Sequence, residues 1–148
     1  MIKFIRTLAA AAAGTVLATS AFAQGAMEVR DPTPWVNIEN EPPPKLIAEA
    51  PLPGALARGV AIITYRVENL RILPMVGAGA LKVSPRVGHL HVTLDDLPWH
   101  WADASNSNTI VVADLRPGPH KLLIEVADPE HRVLTAQTVT FTVPNATQ

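Results

Sequence analysis

The chain contains no cysteine in 148 residues. That absence excludes disulfides, a thiolate nucleophile, a blue-copper centre and a cysteine zinc site. It also excludes the lipidated cysteine of a bacterial lipoprotein. Motifs of enzyme chemistry are missing too: there is no Gly-x-Ser-x-Gly, no His-Glu-x-x-His and no glycine-rich phosphate loop. The reading therefore favours a non-enzyme. Basic residues are not in excess, with 12 Lys and Arg against 13 Asp and Glu. A nucleic-acid surface wants a basic face, so the balance speaks against nucleic acid as a partner.

What is present begins with an export pattern. Lys3 and Arg6 precede an alanine-rich apolar run from Leu8 to Ala18. Ala21-Phe22-Ala23 then supplies small residues where signal peptidase reads, so cleavage is expected before Gln24. The run is shorter than the roughly 20 residues of a membrane span. No second apolar run follows, so no span is expected in the mature chain. The expected address is the periplasm or the outside of the cell. Without Lys3 and Arg6 the formal charge falls from −1 to −3. With no disulfides, stability must come from the core.

Three segments are expected: a signal peptide over 1–23, a proline-rich arm over 24–57 and one domain over 58–148. The arm holds Pro42-Pro43-Pro44 and several further prolines, which lack the amide donor that a long helix or central strand needs. Trp35 and Val36 are its expected anchors, and Leu46 to Ala50 a short edge strand. Beyond it, alternation predicts strands. Ile63, Tyr65 and Val67 alternate with polar residues in Val60–Leu70. Leu90, Val92 and Leu94 share one face of Val87–Asp95. Thr109–Leu115 is β-branched. Leu122, Ile124 and Val126 share a face with His120, and Val139, Phe141 and Val143 face in from Val133–Val143. Arg71–Pro85 reads as a loop or a bent strand pair. Short strands punctuated by Gly and Pro predict an all-β fold, an immunoglobulin-like β-sandwich.

The histidines carry the chemistry. His89 and His91 lie on the polar face of their strand, with Cβ atoms about 6–7 Å apart, twice the strand rise. In an immunoglobulin-like sandwich the strands Val87–Asp95 and His120–Val126 would be antiparallel neighbours. His89 then meets the turn that holds Asp128 and His131. His89, His91 and His131 are the candidate metal ligands, an all-nitrogen set that suits copper(II), zinc or nickel. Imidazoles bind metal when neutral, so affinity is expected to fall below about pH 6.5. His120 sits at the far end of its strand and reads as a core histidine bonded to a backbone carbonyl.

Trp99, His100 and Trp101 form a second candidate site, an aromatic platform for a carbohydrate or another cell-envelope ligand, with Asp95 and Asp96 as polar partners. The competing reading is that the tryptophans plug the end of the core. On the metal reading, loss of His100 leaves binding intact.

Gly88-His89-Leu90-His91, Pro98-Trp99-His100-Trp101, Pro117-Gly118-Pro119-His120-Lys121-Leu122 and Asp128-Pro129-Glu130-His131 together resemble the landmarks of uncharacterised bacterial exported domains. The resemblance covers about Arg71 to Val143. It implies an exported β-sandwich, a domain of unknown function with no established activity. In some similar domains the residue between the first two histidines is itself histidine, whereas here Leu90 leaves one ligand fewer. The expected function is an exported binding module for a small ligand or metal ion. The alternatives are the Trp99/Trp101 ligand module or a purely structural interaction domain.

Overall fold

The computed structural model describes residues 39–145, which fall within one compact unit. The expected signal peptide, its cleavage site and the Trp35–Val36 anchor lie outside the described residues. The strands are β1 (Lys45–Ala48), β2 (Ala61–Glu68), β3 (Arg71–Ile72), β4 (Val87–Leu94), β5 (Trp101–Asp103), β6 (Thr109–Val112), β7 (Gly118–Ala127) and β8 (Val133–Val143). A single helical turn, α1 (Pro53–Leu56), has proline near its start, where a missing N–H costs nothing.

Two sheets form a sandwich. One has the order β1-β2-β6. The other has the order β3-β4-β7-β8, with β5 also paired to β4. β4 runs antiparallel to β7 with His89 opposite Ala127 and Leu94 opposite Leu122. This is the adjacency that the sandwich reading required. The remaining edge of β4 is shared: β3 pairs parallel to its start, and β5 antiparallel to its second half.

Alternation sets the core. Leu90 and Val92 of β4, Leu122, Ile124 and Val126 of β7, and Ile63 of β2 are fully buried between the sheets. Each such side chain contributes about 1.5–3 kcal/mol by leaving water. In β8, Val139 and Val143 are buried and Phe141 is half-buried, while Thr138, Thr140 and Thr142 are exposed. Gln137 breaks the apolar pattern on that inward face for a visible reason. Its side-chain amide donates to the Ala48 carbonyl and accepts from the Ala48 N–H, both at 2.9 Å. One side chain thus ties β8 to the edge strand of the other sheet.

Arg71–Pro85 contains β3, an irregular stretch and a 3₁₀ turn at Ala80–Lys82. Among the described residues no helix is long and apolar enough to cross a membrane.

Candidate metal centre

Leu90 and Val92 point into the sandwich, so period-two alternation sends His89 and His91 to the outer face of β4. That face is polar in composition but not exposed: His89 is 3 % and His91 5 % accessible. Two irregular segments cover it. The loop after β3 is tied down by Leu73 N–H donating to the Gly88 carbonyl and Gly77 N–H donating to the Pro129 carbonyl. The segment leading into β5 covers the other side. Trp101 stands opposite Val92 and Ala102 opposite His91. Trp101 therefore packs on the core, and the alternate residues His100 and Ala102 fall on the histidine side.

The third imidazole comes from the turn between β7 and β8. Asp128 organises that turn. Its Oδ1 accepts from the N–H groups of Glu130 and Arg132, and its Oδ2 accepts from Arg132 Nε at 2.7 Å. Its carboxyl is half of an ion pair with Arg132 and is not among the groups whose ligand atoms converge, which are His89, His91 and His131. Burial opposes its ionisation, but the Arg132 contacts and the Glu130 amide prevail and hold its pKa below the ordinary value. His131 closes the turn, donating its N–H to the Asp128 carbonyl, in a left-handed conformation with φ 64°.

Three ring nitrogens meet as a result. His89 Nε2 is 3.0 Å from His91 Nε2 and 3.1 Å from His131 Nδ1. His91 Nε2 is 3.1 Å from His131 Nδ1. At a metal–nitrogen distance of about 2.05 Å, adjacent ligands stand about 3.3 Å apart in a tetrahedron and about 2.9 Å apart in an octahedron. The triangle lies between these limits.

Hydrogen bonding cannot satisfy such a triangle. A ring nitrogen either carries a proton and donates, or is bare and accepts. At most two of the three contacts can therefore be N–H···N bonds. The third sets two lone pairs, or two N–H groups, against each other. His89 adds to the cost, since its buried Nδ1 has no hydrogen-bond partner among the described residues.

Burial pushes the His91 imidazole down to about 4, and the adjacent His100, His89 and His131 add to the effect. Burial lowers His89 as well, with His131 reinforcing it and Asp128 opposing it. In both rings burial favours the neutral form, the form that binds cations, relative to an exposed imidazole.

The two candidate sites of the sequence are physically joined. The His100 ring lies on His91, with centroids 4.4 Å apart and planes tilted by 30°. Trp99 is 56 % exposed, and its ring centroid is 6.2 Å from that of half-buried Trp101. The hairpin register that places His100 beside His91 is not legible in the sequence, because β5 is three residues long and follows an aperiodic segment. His120 is remote from this cluster. Its Nε2 donates to the Arg116 carbonyl, as expected, and its Nδ1 donates to Asp95 Oδ2 at 2.6 Å. Asp95 and Asp96 pair with His120 and Lys121 and not with the tryptophans.

The fold and the cluster define a β-sandwich that presents a three-imidazole centre on the outer face of one sheet. The chain belongs to a family of unknown function, DUF6130, whose profile matches residues 1–148. No curated protein and no solved structure matches it significantly.

Proposed function

We propose that this domain binds a divalent transition-metal cation, zinc or copper(II), through His89 Nε2, His91 Nε2 and His131 Nδ1. The observation that carries the reading is the triangle of 3.0–3.1 Å nitrogen contacts. A cation on its axis accepts all three lone pairs at once and removes the conflict that protons cannot resolve. Three imidazoles leave coordination positions open, as in zinc sites that also take a water or a substrate. The export pattern at the N-terminus supports a periplasmic or secreted binding module. Its test is the N-terminal residue of the recovered protein, expected to be Gln24.

Calorimetric titration of the purified protein with zinc and copper(II) tests the site. One equivalent should bind, and His89→Ala/His91→Ala should weaken binding by at least a hundredfold. His100→Ala should change affinity by less than tenfold, because the ring packs on a ligand and is not one. Binding unaffected by the double substitution overturns the assignment.

A further inference from the structure

A cavity of about 180 Å³ adjoins the triangle, lined by Pro74, Val76, His89, Ala102, Ala104 and His131. It touches two of the three candidate ligand rings. The third, His91, is covered by His100. Open coordination positions are therefore accessible from the side of His89 and His131. Apart from the two imidazoles, the lining side chains carry no polar atom at all.

From these features we infer that the centre receives a small monoanion with an apolar body, a short-chain monocarboxylate being the representative class. The inference rests on the metal reading and adds the ligand. Each part of that ligand follows from the site. Three neutral imidazoles leave the charge of a divalent cation uncompensated, so an anionic head is favoured at the metal. The alkyl body belongs against Pro74, Val76, Ala102 and Ala104. Sugars, phosphates and dicarboxylates gain nothing from this lining, which offers their further polar groups no hydrogen-bond partner. The pocket is open to solvent on one side, since Pro74, Val76, Ala102 and His131 are exposed, and its floor offers apolar contact to an alkyl body of a few carbons.

Cobalt(II) reports the test, since its visible spectrum responds to a change of ligand. The cobalt-loaded protein is titrated with acetate, pentanoate and succinate. Each methylene buried is worth up to about fourfold in affinity. Pentanoate should therefore bind at least about tenfold more tightly than acetate, and succinate no more tightly than acetate. Ala102→Leu places a side chain in the cavity from an exposed strand position. It should keep cobalt and acetate binding but lose the gain for pentanoate. Equal affinities for acetate and pentanoate, or a gain that survives Ala102→Leu, overturn the ligand inference while the metal site stands. A protein that binds neither cobalt nor zinc overturns the metal reading and this inference with it.

Discussion

The backbone carbonyl of Ala127 occupies the space in which a side chain on Gly88 would begin. The contact fixes the approach to the imidazole triangle from both strands. Gly88 precedes His89, and Ala127 stands opposite His89 in the β4–β7 ladder, one residue before the turn of His131. Close approach of the two backbones is what brings the third imidazole to the other two. A methyl group there meets backbone on one side and the Leu70 side chain at 3.1 Å on the other. Gly88→Ala should destabilise the domain by about 2–3 kcal/mol, lowering the melting temperature by roughly 10 °C. An unchanged thermal transition would refute this account of the glycine.

Asp128 predicts a different pattern, in which folding and metal binding are lost together and restored together. Its carboxylate satisfies two backbone N–H groups of the turn and one guanidinium N–H. Removing it strands those amides and frees His131 to move. Asp128→Ala should cost about 2 kcal/mol or more and weaken zinc binding at least tenfold. Asp128→Asn retains a side-chain oxygen for the amides and should recover most of both. Zinc titration and thermal melts of the two variants check the claim. Full zinc affinity in Asp128→Ala would show that the turn needs no brace.

Much of this arrangement is legible in the sequence, and the limits of legibility have physical causes. Alternation places His89 and His91 on the face opposite Leu90 and Val92, and the β4–β7 neighbourhood brings in His131. These follow from period-two geometry and short turns. The burial of that face does not follow. It is made by Pro74, Val76 and the residues around His100, which lie in segments with no period. Gly88 is readable as a glycine, but not as a close approach, because its cause is a carbonyl 39 positions later in the chain. His120 is half legible. Its carbonyl partner is local, whereas Asp95 depends on the β4–β7 register. Gln137 shows the reverse case, a polar residue on an inward face whose partner lies in another sheet.

His131 separates a ligand from a structural residue by its backbone. At φ 64° a side chain is held in a conformation that disfavours every residue but glycine, with histidine among those that tolerate it better. If the imidazole were there for stability, replacing it would cost stability. As a ligand, it is held in a strained position for function. His131→Gly should keep stability within about 1 kcal/mol of the parent, or raise it, since glycine adopts this conformation freely. Zinc affinity should fall at least tenfold in the same variant. A clear loss of stability without loss of metal would assign His131 to the fold alone.

His120 gives the fold a pH dependence of opposite sense to that of the buried pair. Both its nitrogens face acceptors, the Arg116 carbonyl and the Asp95 carboxylate, and satisfying both requires the doubly protonated ring. The bond to the Arg116 carbonyl, then Asp95, raises its pKa above 6.5 against the opposing effect of burial. The folded state thus holds this proton more tightly than the unfolded chain does. Its contribution to stability is complete below about pH 6.5 and is lost as pH rises through the raised value. His89 and His91 have lowered values, so they favour folding as pH rises from the acid side and mask the effect in the parent protein alone. The difference between parent and His120→Gln isolates it. That difference in unfolding free energy should be largest near pH 6 and shrink toward pH 9, as measured by denaturant titration. The ion pair of Lys121 with Asp96 is common to both proteins. Asp95→Asn removes the carboxylate and should make the profile shallower, leaving the part that the Arg116 carbonyl supplies. A difference that grows with pH would mean that His120 is folded as a neutral ring, with one of its two acceptors unpaired.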